Sequence, residues 1–325
     1  MVNMSTVHAS QQNAKQRDEH AIPALEIIGL RKIYNSGVEA LKGIDLRVER
    51  GDFYALLGAN GAGKSTTIGL ITTLLTKTSG SIVIYGYDID RYPEKAKYFL
   101  GLVPQEFNLN IFETCEQILL SQSGYYGIGR KQAKPRVEQL LAQLGLWEKR
   151  DSIVRHLSGG QKRRLMIARA LVHSPKILIL DEPTAGVDIE IRRAMWDFLT
   201  QTNREGTTII LTTHYLEEAE QLCKKIAIIK QGSIVKDTTM KELLNTLCHQ
   251  TFIFTAENSL TPAFTLAPFE VTVLDQNNFE IRIDNDLTLN EVFQKLSEQG
   301  IRIHSLRNKT NRLEELFVDL IYHEP

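Results

Sequence analysis

Apolar and polar positions alternate in several registers along this chain. Between residues 25 and 57 the short runs "LEIIGL", "IDLRV" and "FYALLG" have strand character, and the last ends on a glycine-rich turn, "GANGAGKST". "TTIGLITTLL" then continues as a helix, and "SIVIYG" and "LGLVPQ" return to short apolar runs. From about 106 to 157 the spacing becomes helical, with leucines on one face of "CEQILLSQ" and "RVEQLLAQLGL". "KILILDEP", "GTTIILTTH" and "KIAIIKQG" are continuous apolar runs, the pattern of strands buried on both faces of a parallel sheet. The helical "RRAMWDFLTQT" lies between the first two. Strands alternating with helices predict an α/β fold with a helical insertion.

The texture changes after about residue 245. "TFIFTAE", "FEVTVLD" and "FEIRID" look like exposed-edge strands, and "LNEVFQKLSEQG" reads as a helix. The expected organisation is a disordered N-terminal extension over 1–22, a main domain over 25–245 and a small C-terminal α+β appendage over 246–325. Near the end, "RLEELFVDLI" sets Leu313, Leu316, Phe317, Leu320 and Ile321 on one helical stripe, read as packing on that appendage.

Composition narrows the function classes. A net charge of −1 provides no global basic field for nucleic acid or an anionic membrane. The three cysteines, Cys115, Cys223 and Cys248, form no C-x-x-C pair and read as reduced core thiols. The polar stretch "MVNMSTVHASQQNAKQRDEH" lacks the apolar core of a secretory signal, and no apolar run reaches the roughly 20 residues of a membrane helix. A cytoplasmic location is therefore expected.

Two motifs carry chemistry by themselves. Gly58 to Ser65 fits G-x-x-x-x-G-K-[ST] between a strand and a helix. Backbone N–H groups of Gly58, Ala59, Asn60, Gly61, Ala62 and Gly63 can wrap phosphates there, and the following helix N-terminus favours negative charge. Lys64 supplies a charge to β/γ-phosphates, Ser65 an oxygen to Mg²⁺, and Thr66 continues the loop into the helix. In "ILILDEP", Asp181 ends a buried strand where it can hold the Mg²⁺ shell, and Glu182 can polarise a water if partly desolvated.

With "VPQ", "LSGGQ", "AGVD" and "TTH" in order between and after these, the chain resembles the ATP-binding subunit of an ABC transporter over about 25–250. The tail and "LGLVPQEFNLN" are similar to subunits of ABC-2-type exporters. The resemblance implies ATP and Mg²⁺ as ligands, and a P-loop core with a helical subdomain at about 106–157. Tyr34 falls where the family stacks an aromatic on adenine, Gln105 where a glutamine touches Mg²⁺, and His214 where a histidine contacts the γ-phosphate. Asp188 matches the aspartate that links two sites. Ser158, Gly159, Gly160 and Gln161 match the run that binds the γ-phosphate held by another subunit, which implies a head-to-tail homodimer.

Ser158 is a fitting N-cap for "QKRRLMIARAL", whose Leu165, Ile167, Ala168 and Leu171 would face inward while the basic run reads as a solvated face. The expected partner is an ABC-2-type integral membrane permease, which would hold the protein peripherally on the cytoplasmic face of the inner membrane. The rival is a soluble ABC-type ATPase acting on nucleic acid or in cofactor assembly. A single P-loop, no long heptad run and a neutral charge weigh against it.

Overall fold

In the computed structural model the described residues are 22–213, 215–245, 249–261, 264–284, 287–309 and 313. The chain forms two compact units, Met1–Thr238 and Thr239–Pro325. The expected extension over 1–22 falls almost wholly outside the described residues, as does the expected stripe of Leu313, Leu316, Phe317, Leu320 and Ile321 apart from Leu313, which is buried.

The first unit opens with β1 (Leu25–Ile33), β2 (Glu39–Val48) and β3 (Phe53–Leu57), then α1 (Lys64–Ile71). It continues through β4 (Ser79–Ile84), β5 (Tyr87–Asp88), α2 (Pro93–Tyr98) and β6 (Leu100–Val103). The helical insertion holds α3 (Cys115–Tyr125) and α4 (Arg130–Gln143), followed by 3-10 turns at Trp147–Lys149 and Val154–His156. Next come α5 (Gly159–Leu171), β7 (Ile177–Asp181), α6 (Ile189–Arg204), β8 (Thr208–Thr212), α7 (Leu216–Leu222), β9 (Lys225–Lys230) and β10 (Ser233–Thr239).

Two sheets are built from these strands. One is antiparallel, in the order β2-β1-β4-β5; the other runs β10-β9-β3-β8-β7-β6. β9, β3, β8, β7 and β6 are mutually parallel. In β3, β7 and β8 every residue is buried, as strands with a neighbour on each side and packed faces require. Side chains alternate across them. Tyr54 and Leu56 of β3, with Ile179 and Ile210, share a core with Leu25 and Ile27 of β1 and Ile82 of β4. The antiparallel sheet is thereby fastened to the parallel one.

Register decides where the chemistry gathers. Leu56 pairs with Thr212, Thr212 with Asp181, and Leu180 with Val103. Four adjacent parallel strands thus end side by side, and each runs at its carboxyl end into one of the motifs. Ligands of open α/β sheets sit outside those ends. One close approach fixes the edge of this array. A Cβ at Gly101 of β6 would lie 2.4 Å from the Ala170 carbonyl oxygen, so glycine is needed for α5 to pack onto that strand.

The second unit holds α8 (Met240–Asn245), β11 (His249–Ala256), β12 (Glu270–Val273), β13 (Asn278–Asp284), α9 (Leu289–Glu298) and β14 (Ile303–Asn308). Its antiparallel sheet has the order β12-β13-β11-β14. This corrects the edge-strand reading of "TFIFTAE" and "FEIRID": β11 and β13 each pair on both sides, and β12 and β14 are the edges. Phe254, Phe279 and Ile281 form a core with Val292 and Leu296 of α9. α9 starts at Thr288 in a reciprocal capping box with Glu291.

Candidate nucleotide site

The glycine-rich loop leaves β3 and enters α1 through Gly63, whose φ of 118° favours a residue without a Cβ. The turn is closed by Ala62 N–H donating to the Ala59 carbonyl at 3.1 Å, and it is held from outside by Gly232 N–H donating to the Ala62 carbonyl at 2.9 Å. Lys64 is buried and bends over this loop, donating to the carbonyls of Gly58 at 2.8 Å and Ala59 at 3.1 Å. Burial lowers the pKa of its amine, and the charges of Glu182 and Asp181 oppose that shift. Ser65 is exposed at the helix start and Thr66 half-buried beside it, while Asn60 and Gly61 form the outer turn.

Asp181 ends β7 and Glu182 follows it, 8% and 9% exposed. Asp181 accepts a hydrogen bond of 2.5 Å from the Thr212 hydroxyl at the end of β8. Burial raises its pKa and neighbouring Glu182 adds to that; the Thr212 bond, Lys64 and Arg163 pull the other way. Glu182 has a φ of 48°, a left-handed backbone that costs a non-glycine residue energy and recurs at functional sites. Its N–H is tied to the Thr212 carbonyl at 2.9 Å. The desolvation that sequence could only set as a condition for Glu182 is present. Gln105, two positions beyond β6, donates its side-chain amide to Glu182 at 3.1 Å.

The strand ends therefore bring Lys64, Asp181, Glu182 and Gln105 together. Tyr34 joins from the turn after β1, its hydroxyl 3.2 Å from that of Thr66. Its ring also lies under the Lys32 ammonium, 5.1 Å from the centroid.

The second glycine run makes a cap of its own. Ser158 caps α5 in a reciprocal capping box: its hydroxyl accepts from Gln161 N–H at 3.3 Å, and its own N–H donates to the Gln161 side chain at 2.9 Å. Such a cap stabilises a helix start by about 1 kcal/mol. Ser158 and Gly159 are exposed at the positive end of α5. Among the described residues, no hydrogen bond links Ser158, Gly159 or Gly160 to residues 58–66. Asp188 caps α6, accepting from Ile191 N–H at 2.9 Å, and Ile191 packs against Gly160. His214 lies outside the described residues.

The basic run after Gln161 is not a solvated face. Arg163 is 3% exposed, and Arg164 reaches the Leu144 carbonyl at 2.8 Å. Leu165, Ile167, Ala168 and Leu171 do face inward. Two participants escape the motif reading, Thr212 and Arg163. The signal for Thr212 was a polar residue ending an apolar run. Arg163 offered none, because a basic triplet on a helix looks alike whether buried or solvated.

The donors offered to a cation by Ser65 and Asp181 are hard oxygens. They are few, which fits Mg²⁺, an ion that keeps water and phosphate oxygens in its shell. Among the described residues there is no cluster of three or more His, Cys, Asp or Glu groups that could hold a metal by itself.

Residues 41–185 match the ABC transporter family. The chain is 34% identical over 304 residues to the linearmycin resistance ATP-binding protein LnrL of Bacillus subtilis, covering 91% of this chain and 97% of that one. It is 33% identical over 307 residues to the daunorubicin/doxorubicin resistance ATP-binding protein DrrA of Streptomyces peucetius, covering 92% and 93%. A solved dimeric ATP-binding cassette in a post-hydrolysis state, bound to ADP and Pi, superposes with a TM-score of 0.61 and 27% identity, covering 66% of this chain and 98% of that one. With these relatives and this strand-end site, the chain belongs to the ABC transporter family as an ATP-binding, ATP-hydrolysing protein.

Proposed function

We propose that this protein hydrolyses Mg²⁺-ATP at the strand-end cluster and so drives a separate ABC-2-type membrane permease that exports a substrate. The observation that carries the reading is Glu182: a buried carboxylate on a left-handed backbone, fixed by Thr212 and touched by Gln105. A base so held can take the proton of a water attacking the γ-phosphate without first reorganising.

The other residues bind and orient. The loop Gly58–Thr66 wraps the phosphates with N–H groups, and Lys64 turns its ammonium from loop carbonyls to the β/γ oxygens. Tyr34 presents a ring face to adenine. Ser65 and Asp181, with Gln105, would hold the Mg²⁺, which would supply positive charge to the phosphate oxygens. His214 meets the γ-phosphate.

Two copies close head to tail in this account. The exposed cap at Ser158, with the N–H groups of Gly159 and Gly160 and Gln161 behind them, then faces the γ-phosphate held by the other copy. Asp188, capping the helix packed on Gly160, carries the link between the two sites. Among the described residues no hydrogen bond ties Ser158 to its own P-loop, which agrees with that arrangement.

A separate permease is supported by two points. Among the described residues no helix is long and apolar enough to cross a membrane. The relatives carry drug-resistance names. The permease would be met by the region from Gln105 to Glu113, where Phe107, Ile111 and Phe112 are exposed. The protein then sits on the cytoplasmic face of the membrane, without nucleic acid as a partner. Residues 25–245 would form the ATP-hydrolysing domain and 246–325 its appendage.

The test is Glu182→Gln. It should bind ATP with wild-type affinity, persist as an ATP-bound dimer and release phosphate at a rate lower by about 10²-fold or more, the usual worth of a general base. Near-normal phosphate release would remove Glu182 from the role.

A further inference from the structure

Arg163 has a place that neither motif reading nor fold explains. It lies at the start of the second turn of α5, 3% exposed. Its guanidinium donates to two successive carbonyls, Nη1 to Pro104 at 2.8 Å and Nη2 to Gln105 at 2.7 Å. The Phe107 ring lies against the same guanidinium, 5.0 Å from Cζ to the centroid.

Stability alone does not call for this arrangement. Taking a cation out of water is costly, and an apolar side chain of like volume is often as good or better for folding. Geometry accounts for it better. Arginine holds its N–H groups in a rigid planar fork, so it can grip two neighbouring carbonyls at once, and lysine cannot. The gripped carbonyls belong to the residue whose side-chain amide rests on Glu182 at 3.1 Å, and to the one before it. At the other end of α5, the Ala170 carbonyl packs on Gly101 so closely that no Cβ fits. The Gln105 segment is thus attached to α5 at two points, one by steric fit and one by the fork. α5 is also the helix capped by Ser158.

We propose that Arg163 is a positioning residue for ATP hydrolysis: it fastens the Gln105 backbone to the helix that opens on the second glycine run, which keeps the Gln105 amide on Glu182. The loop and that helix then move as one body. This rests on the reading of Glu182 and Gln105 as parts of the hydrolytic site.

The experiment is a double-mutant cycle in the full chain, with Arg163→Met and Gln105→Ala made singly and together. Phosphate release gives kcat and KM, and ATP binding is measured in excess chelator. Arg163→Met should lower kcat by about tenfold or more and leave KM within about twofold, because it disturbs the base and not the phosphate loop. Arg163→Lys should restore little, since one ammonium cannot form the fork.

In the Gln105→Ala background, Arg163→Met should cost less than about a further twofold, because the group it positions is gone. Gln105→Ala keeps its backbone carbonyl, so a purely structural role for Arg163 survives there and predicts the same loss in both backgrounds. Equal losses, or a normal kcat for Arg163→Met alone, would overturn the proposal. If Gln105→Ala itself turns over normally, the parent reading of Gln105 is what fails, and the proposal falls with it. Should Arg163→Met lack a cooperative thermal transition, the same cycle is read with Arg163→Lys, which keeps the charge and loses the fork.

Discussion

The side-chain amide of Gln105 rests on the Glu182 carboxylate at 3.1 Å, joining residues 77 positions apart in sequence. The contact exists because β6 and β7 are parallel neighbours, with Val103 level with Leu180. An amide donor at this place steadies a carboxylate without neutralising it. Gln105→Ala should therefore lower kcat by about tenfold or more, while ATP binding measured in excess chelator, where no Mg²⁺ is held, stays near wild type. Phosphate release beside equilibrium nucleotide binding checks it. A proportional loss of binding would show that Gln105 acts on the ground state instead.

Tyr34 should contribute to affinity through its ring. Tyr34→Ala is expected to weaken ATP binding by about 1 to 3 kcal/mol, the worth of one stacked base. Tyr34→Phe keeps the ring and loses only the contact with the Thr66 hydroxyl within the protein, so its ATP affinity should stay near wild type. Calorimetric titration with ATP separates these. Equal affinities for wild type and Tyr34→Ala would make Tyr34 a structural residue only.

Much of the site was legible because its motifs are local. The loop Gly58–Ser65, the Ser158 cap and the acids of "ILILDEP" each express their chemistry within a few residues. What stayed hidden depends on pairing across distance. That Thr212 donates to Asp181 follows from β8 lying beside β7, which no local pattern reveals. Likewise β11 is apolar at Phe252 and Phe254 whether it sits at an edge or inside, and only its pairing with both β13 and β14 decides. The division of β1 to β4 between two sheets is of the same kind.

His173 should make stability depend on pH. It is 4% exposed, and its Nε2–H donates to the Leu100 carbonyl at 3.0 Å. Burial pushes its pKa from the ordinary 6.5 down to about 4. The folded state thus keeps the ring neutral while the unfolded chain takes up a proton. The contribution of His173 is fully present above about pH 6.5 and is lost as pH falls toward about 4, by at most roughly 1.4 kcal/mol per pH unit. His173→Gln keeps a donor but cannot titrate. Thermal midpoints of the two proteins should converge as pH falls through this window. Parallel curves from pH 7.5 to 4.5 would contradict it.

Mixing of chains tests most directly whether the second glycine run of another copy completes the ATP site. Lys64→Ala removes the charge at the phosphates, and Ser158→Arg blocks the exposed cap of α5. Either homodimer should be inactive. Mixed, the two variants should recover ATPase activity, because one site then pairs an intact Lys64 with an intact Ser158 from the other chain. A wild-type chain joined to a chain carrying both substitutions should stay inactive, each site bearing one lesion. The opposite pattern, activity in the joined pair and none in the mixture once chain exchange is verified, would show that Ser158 serves its own P-loop and would contradict the shared site.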